Sequence, residues 1–342
     1  MPDRSTSAVA GGRFGPTPLT RSSSTPAGSS QANGGWSRLG MLGVLFAIAV
    51  AVVLILVIRS SRFDAADTRQ TTLEKIRQTG TITLGHRENS IPFSYFDNQQ
   101  KVVGYANDIS LAIAREVEQA LGLDGLKVKL VPVTSQTRIP LLINNTIDLE
   151  CGTTTNNSVR GRQVGFSTNY FISGTRFLVR KDSGIVDLPD LAGRNVVVSA
   201  GTTSEIVLRR LNAERKLGMR IVAARDHGDA FVALEFGKVV AFMSDDAILF
   251  GEISKAKNPA EWHVVGTPLT KEVYACAMRK GDATFKQVTD RAIEGMMRAG
   301  EMRALYARWF QSPIPPRQVN LEVPLDRELA ELFEHPHDRP LQ

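Results

Sequence analysis

The chain has 342 residues, of which 42% are hydrophobic, and its formal net charge is +6 at pH 7. These totals predict a globular protein of about two domains and exclude a largely disordered chain. The basic excess lacks the runs of basic and aromatic residues that bind nucleic acid, so no nucleic-acid partner is expected. Cys151 and Cys276 lack the paired spacing of a zinc or redox motif, so no metal site is predicted.

Three segments precede the globular part. Residues 1–38 are rich in Ser, Thr, Gly and Pro, which predicts a disordered tail. Residues 39–58 carry no charged side chain and, as a helix, would span about 30 Å of hydrocarbon. We therefore predict a transmembrane signal anchor there, a linker over residues 59–71, and the bulk of the chain outside the cytoplasm. Cleavage near Ala66 is an open alternative.

From residue 72 onwards, strand patterns alternate with helix patterns, which predicts an α/β domain with a largely parallel sheet. The expected strands cover residues 81–85, 128–133, 147–151, 175–179, 195–199, 220–223, 239–243, 263–265 and 273–278. The expected helices cover residues 109–121, capped by Asn107 and Asp108, and residues 201–211, 230–236, 246–255, 285–299, 301–310 and 326–333. The polar residues around His335 and His337 are expected to be solvated.

Polar residues gather where the predicted strands end. The set comprises Arg87, Ser135, Arg138, Thr153, Thr155, Arg160, Thr202, Thr203, His227 and Asp245. Ligands of open α/β sheets bind beyond the carboxyl ends of the strands, so we expect these residues to form one site. Taken singly, Arg87 fits a solvated charge run, His227 a surface loop and Asp245 a helix cap. Their shared position at strand ends favours the site.

The residue types in this set indicate the chemistry of the ligand. Arginine and hydroxyl side chains match carboxylates, and a helix start at Thr202 and Thr203 favours an anion. Asp245 supplies the charge that a buried ammonium group requires. An acidic amino acid is the simplest molecule with two carboxylates and one ammonium. The chain lacks the motifs of P-loop, dinucleotide-binding, hydrolase and zinc-peptidase sites, so neither an enzyme nor a cofactor is predicted.

Several stretches carry a resemblance to a known family. In chain order they read GHRENSIPFSYFDNQQKVVGY, TSQTRIPLL, ECGTTTNN, GTTSE, RDHGD, AFMSDDA and WFQSPIPP. Over residues 72–333 the chain resembles the solute-binding proteins of bacterial amino-acid ABC transporters, extracellular solute-binding protein family 3. Within that family it is most similar to the glutamate/aspartate type.

The resemblance implies a type II periplasmic-binding-protein fold, in which two lobes joined by two hinge strands clamp the amino acid. Residues 72–178 and 278–342 would form lobe 1, and residues 179–277 would form lobe 2 together with the returning hinge strand. It also implies a periplasmic domain, which the predicted anchor would tether to the inner membrane, in a departure from the freely diffusing form that is usual in this family. This domain would act as a monomer that delivers L-glutamate or L-aspartate to ABC permease subunits.

The resemblance assigns each site residue a role. The side-chain carboxylate of the ligand would be held by Arg87, Ser135, Arg138 and His227, the α-carboxylate by Thr155, Arg160, Thr202 and Thr203, and the ammonium by Thr153 and Asp245. The choice between glutamate and aspartate stays open, because Thr153 stands where relatives often carry serine.

Two further expectations depend on the fold and the location. Outside the cytosol, Cys151 and Cys276 could form one disulfide, provided the fold brings them together. The alternative function is a periplasmic dehydratase on the same scaffold, acting on arogenate-like or prephenate-like acids. Such an enzyme would need a general acid or base near the pocket, a role for which His227 or Glu88 could be recruited.

Overall fold

The structure is a computed structural model, and it describes residues 47–54 and 70–341. Residues 47–54 are helical with exposed side chains. The predicted tail at 1–38, the rest of the predicted transmembrane segment 39–58 and nearly all of the linker 59–71 lie outside the described residues. Across the described ranges, no helix is long and apolar enough to cross a membrane.

Strands and helices alternate from residue 72 onwards. The strands are β1 (Thr81–His86), β2 (Asn89–Ser90), β3 (Ser94–Phe96), β4 (Val102–Val103), β5 (Lys127–Pro132), β6 (Leu149–Glu150), β7 (Val164–Arg180), β8 (Asn195–Ser199), β9 (Arg220–Ala224), β10 (Ala241–Asp245), β11 (Trp262–Val265), β12 (Lys271–Arg279), β13 (Pro313–Ile314) and β14 (Val319–Asn320). The α-helices are α1 (Thr72–Thr79), α2 (Tyr105–Leu121), α3 (Arg138–Ile143), α4 (Thr203–Glu214), α5 (His227–Glu235), α6 (Asp246–Lys255), α7 (Ala283–Arg298), α8 (Glu301–Phe310) and α9 (Arg327–Glu334).

The main sheet runs in the order β5, β1, β6, β12, β7, β10, β8, β9, with β11 also paired to β7. The outer strands are parallel within each half, β1 with β5 and β6, and β8 with β9 and β10. The central strands β7 and β12 are antiparallel to each other and to their outer neighbours. The prediction of a largely parallel sheet is therefore wrong at the centre. There the two long strands cross between a first lobe, built on β5, β1 and β6, and a second lobe, built on β10, β8 and β9.

Strand β7 is longer than its sequence pattern predicts. It runs for 17 residues from Val164, whereas only residues 175–179 were expected to be a strand. The polar residues Ser167, Thr168 and Asn169 interrupt the apolar pattern, yet all three are buried. They are tolerated because they find partners: Ser167 Oγ accepts from the Cys276 N–H at 2.9 Å, for example.

Each lobe buries its own apolar core. Aromatic rings fill the first lobe, where Phe93 lies 4.8 Å from Phe171 and 5.6 Å from Phe310 between ring centroids. In the second lobe the strands alternate between two faces. Val196 and Val198 pack on one side of the sheet, and Val197 packs on the other. The helices therefore cover both faces of this sheet, as parallel strands require.

Two helices begin earlier than expected. Helix α2 starts at Tyr105, not at a cap formed by Asn107 and Asp108. Its N-cap is Gly104, whose φ of +131° disfavours other residues, and a Cβ at this position would lie 2.3 Å from the Phe93 carbonyl oxygen. Helix α5 starts at His227, because the Asp226 carboxylate caps it by accepting from the Asp229 N–H.

Candidate functional site

Arg87 and Ser135 come together because the parallel strands β1 and β5 end side by side, with His86 opposite Pro132. Arg87 is only 2% exposed, and its Nη1 donates to Ser135 Oγ at 3.1 Å. Burial, together with the charge of nearby Arg138, lowers the pKa of Arg87 to about 10. The guanidinium is still charged at neutral pH.

Arg138 is the first residue of α3 and is 1% exposed. Its Nη1 donates to Thr154 Oγ1 at 2.5 Å, and that hydroxyl donates in turn to Glu150 Oε2 at 2.5 Å. Within the described part of the chain, Nε of Arg138 and Oε1 of Glu150 have no hydrogen-bond partner. A buried charge with an unused donor is unfavourable by itself and suits an anionic ligand.

Arg160 joins the two lobes. Its Nη1 donates to the Thr155 carbonyl oxygen at 3.2 Å, and its Nη2 donates to the Gly201 carbonyl oxygen of the second lobe at 3.3 Å. The lobes touch here, since a Cβ placed on Gly201 would lie 2.8 Å from Gln136. Burial lowers the pKa of Arg160 to about 10, with a contribution from the charge of Arg138.

Thr202 and Thr203 open helix α4 at the edge of the second lobe. The Thr202 hydroxyl caps the helix by accepting from the Glu205 N–H at 3.1 Å, and it donates to the Ser199 carbonyl oxygen. This hydroxyl is therefore already engaged in the cap. The Thr203 hydroxyl lies 3.5 Å from Thr155 Oγ1, across the interface between the lobes.

Asp245 ends strand β10 and occupies the N-cap position of α6, but its side chain does not cap that helix. Instead its carboxylate accepts from the hydroxyls of Tyr274 and Thr175, and from Ser204 Oγ at 3.3 Å. Burial, together with the negative charge of Glu272, raises the pKa of Asp245 to about 7. The site interpretation of Asp245 therefore fits better than the helix-cap interpretation.

Glu272 was not expected in the site. It lies on β12, is 2% exposed, and its Oε2 accepts from Thr155 Oγ1 at 2.6 Å and from Thr203 Oγ1 at 2.9 Å. The two hydroxyls that were expected to bind a ligand carboxylate are thus bonded to a protein carboxylate. The sequence offered little signal, because Glu272 follows Lys271 and precedes the apolar run that was expected to be the strand. Only the topology brings β12 to the loops of both lobes.

His227 is buried at the start of α5, not exposed in a loop. Its Nδ1 lies 2.8 Å from Ser199 Oγ, while Nε2 has no hydrogen-bond partner among the described residues. Burial lowers the pKa of His227 well below its usual value, and the charges of Arg87 and Arg138 act in the same direction. The ring is neutral and lies within the field of both arginines.

The loop after β6 carries Thr153, which is buried. The loop is fixed at its base because the sulfurs of Cys151 and Cys276 are bonded, with 4.2 Å between their Cα atoms. No group of His, Cys, Asp and Glu that could hold a metal ion occurs in residues 47–54 and 70–341. Of the ten residues expected in the site, Thr202 and Thr203 are partly exposed and the other eight are buried.

Residues 82–312 match the family model of bacterial extracellular solute-binding proteins, family 3. The chain belongs to this family. The prediction from the sequence motifs is thereby confirmed, and the two-lobed α/β fold agrees with it. The family's own description places these proteins outside the cytoplasm.

Close relatives of this family member are transport proteins, not enzymes. It is 51% identical to the glutamate/aspartate import solute-binding protein of Salmonella typhimurium, over 81% of this chain and 92% of that protein. It is also 51% identical to the L-glutamate/L-aspartate-binding protein of Pseudomonas aeruginosa, over 80% of this chain and 91% of the relative. Among solved structures, a mutant of ArgBP from T. maritima matches 70% of this chain with a TM-score of 0.63 and 27% identity. The match covers 99% of that protein.

Proposed function

We propose that this protein captures L-glutamate or L-aspartate between its two lobes and delivers it to the permease of an ABC importer. The observation that carries the proposal is the set of three buried arginines, Arg87, Arg138 and Arg160, together with the buried acids Asp245 and Glu272. Such a set matches a ligand with two carboxylates and one ammonium. The 51% identity to the Salmonella import protein supports the same ligand class.

The first lobe would bind the side-chain carboxylate of the ligand through Arg87, Ser135 and Arg138. The unused Nε of Arg138 would then gain an acceptor. His227 adds a neutral donor from the second lobe. When the Ser199 hydroxyl donates to Nδ1, the ring proton sits on Nε2, which is the nitrogen without a partner in the described structure.

The other end of the ligand would lie between Arg160 and the acids. A guanidinium carries more N–H donors than the two contacts of Arg160 use, so the rest are available to the α-carboxylate. The helix start at Thr203 adds partial positive charge. Asp245 and Glu272, together with Thr153, would accept from the ammonium. A cation between the two carboxylates would offset the burial and the repulsion by Glu272 that raise the pKa of Asp245.

The proposal also covers the boundaries of the two lobes, the membrane anchor and the location of the protein. We assign residues 72–178 with 278–342 to lobe 1 and residues 179–277 to lobe 2, because β7 and β12 cross between them. A charge-free stretch at 39–58 supports a membrane tether with the lobes in the periplasm. The bonded Cys151 and Cys276 suit that oxidising compartment. A monomer suffices, since both halves of the site come from one chain.

Calorimetric titration of the purified full-length chain, with detergent present for segment 39–58, tests the proposal. We expect binding heat with L-glutamate and L-aspartate. L-glutamine, whose neutral amide cannot pair with buried arginines, should bind more weakly by about a hundredfold. A folded, ligand-free protein that gives no heat with either acid would refute the proposal. Incubation with arogenate or prephenate should yield no aromatic product, which separates the binding protein from a dehydratase.

A further inference from the structure

A strap of residues 335–341 follows helix α9 and runs along the hinge strand β7 to the loop after β6. These polar residues were expected to be solvated. Instead, their backbone makes hydrogen bonds with two buried asparagines, Asn156 and Asn169, which are 2% and 0% exposed. The strap is therefore built into the structure, close to the proposed binding loop.

The strap first meets β7 where the pairing between β7 and β12 is irregular, near Ala275. The N–H of Ala275 donates to the Thr154 carbonyl oxygen at 3.2 Å, away from β7. The backbone N–H of Asn169 donates to the His337 carbonyl oxygen at 2.9 Å, and its Nδ2 donates to the Arg339 carbonyl oxygen at 3.1 Å. The strap thus accepts hydrogen bonds from two donors of Asn169 that are not paired with β12.

The strap next meets the loop that carries Thr155 and Arg160. Asn156 links the two, because its Nδ2 donates both to the Asp338 carbonyl oxygen and to Asn169 Oδ1, each at 3.0 Å. The Leu341 N–H donates to the Asn156 carbonyl oxygen at 2.9 Å, and the Ser158 N–H donates to the Leu341 carbonyl oxygen at 3.2 Å. The strap holds the loop on both sides of Asn157, as an added strand would.

Arg160 depends on this short segment in two ways. Its backbone N–H donates to Asn157 Oδ1 at 2.9 Å, and its Nη1 donates to the Thr155 carbonyl oxygen at 3.2 Å. The segment that the strap holds therefore sets both the backbone and the guanidinium of Arg160. Arg87 is positioned elsewhere, at the end of β1, where its Nη1 donates to Ser135 Oγ.

We propose that the strap is a positioning element for ligand binding, which holds the loop after β6 so that Arg160 points at the α-carboxylate. The identity of the ligand rests on the proposed function. The strap acts through Asn156 and Asn169 and touches no ligand itself. Without it, the buried amides of both asparagines lose acceptors, and the loop loses its fixed conformation.

Truncation tests the proposal. A full-length chain is compared with one that ends at Glu334. By hydrogen exchange without ligand, the amides of Ser158, Arg160 and Asn169 should exchange faster in the shorter chain. Amides of β8 and β9, far from the strap, serve as the internal control. The affinity for L-glutamate should fall by about tenfold, as expected when a charged donor is no longer pre-oriented.

Combining the truncation with a substitution distinguishes a strap that orients Arg160 from a tail that only stabilises the fold. Residues that act as one unit are not additive. Truncation should therefore cost much less affinity in an Arg160→Lys background than in an Arg87→Lys background, where the full loss of about tenfold should persist. Equal losses in both backgrounds overturn the proposal, as does unchanged affinity in the truncated chain.

Two further results keep the proposal testable if the truncated chain does not fold or the full-length chain does not bind. If the chain ending at Glu334 does not fold, Asn169→Ala removes the side-chain hydrogen bonds of Asn169 to the strap and to Asn156 without burying a charge, and it should give the same pattern. If the full-length chain binds neither acidic amino acid, the proposed function fails. The hydrogen-exchange comparison then still decides whether the strap orders the loop after β6. Unchanged exchange at Ser158 and Arg160 would reject this ordering role.

Discussion

The guanidinium of Arg160 in the first lobe donates to the carbonyl oxygen of Gly201 in the second lobe, at 3.3 Å. A residue expected to bind the ligand therefore also joins the two lobes. Gly201 has a φ of +76° and lies against Gln136, so a side chain there would be strained and would hold the lobes apart. If Arg160 binds the ligand as proposed, one guanidinium serves both ligand binding and the contact between the lobes.

Arg160→Ala should weaken binding of L-glutamate by about 2–5 kcal/mol, which is about 30-fold or more in Kd. The loss has two causes, because both the α-carboxylate and the Gly201 carbonyl lose a charged donor. The matched control is Arg162→Ala, since Arg162 lies two residues away and is exposed. Titration calorimetry measures both variants. An equal effect of the two substitutions would contradict the assigned role of Arg160.

Arg138→Ala should also weaken binding by about 2–5 kcal/mol, because it removes a fully desolvated partner of the side-chain carboxylate. The variant leaves Glu150 buried at 0% exposure without its nearest positive charge, so thermal stability should fall as well. The control Arg115→Ala removes an exposed arginine on α2 and should change neither property. A Kd change below about tenfold would remove Arg138 from the site.

The residues that sequence patterns identify are those that follow strands. Arg87, Arg138 and His227 each stand after or near a strand end, and parallel strands carry such residues to one edge of a sheet. The role of Glu272 could not be predicted in this way. It lies inside a strand, and it reaches the site only because β12 crosses between the lobes. Its position depends on contacts between residues far apart in the chain.

The strap and strand β7 show the same limit of prediction from sequence patterns. Asn169 looks like an interruption in a strand pattern, and His337 looks like part of a solvated tail. Each is explained only by the other, because the N–H of Asn169 donates to the His337 carbonyl oxygen. Periodicity reports burial of apolar side chains, whereas buried polar pairs of this kind leave no periodic signal.

Binding should weaken as the pH falls through about 7, because Asp245 has its pKa raised to about that value without ligand. The ammonium of the ligand stabilises the ionised carboxylate, so the pKa of Asp245 drops in the complex and binding releases a proton. The stabilisation is therefore present above the raised pKa and lost below it, by about tenfold for one pH unit. Titration of His227 does not contribute to this pH dependence, because burial holds the pKa of His227 well below its usual value.

Titrations at several pH values, in two buffers of different ionisation enthalpy, measure this proton release directly. The residual binding of Asp245→Asn should show no such pH dependence. An affinity that is constant between about pH 6 and about pH 8, with no proton released, would contradict the predicted ionisation of Asp245 on binding.

Loss of the bond between Cys151 and Cys276 should lower the free energy of unfolding by about 2–5 kcal/mol. The bond closes a loop with a sequence separation of 125, so its removal enlarges the unfolded ensemble considerably. The suitable variant is Cys151→Ala with Cys276→Ala, since both positions are buried and serine would add an unpaired hydroxyl. Denaturant unfolding with and without a reducing agent measures the effect. Reduction should destabilise the natural chain and leave the alanine variant unchanged.

The bond also fixes the base of the loop that carries Thr153 and Thr155, so ligand affinity should fall together with stability. A destabilised variant with unaltered affinity would show that hydrogen bonds alone suffice to hold the binding loop.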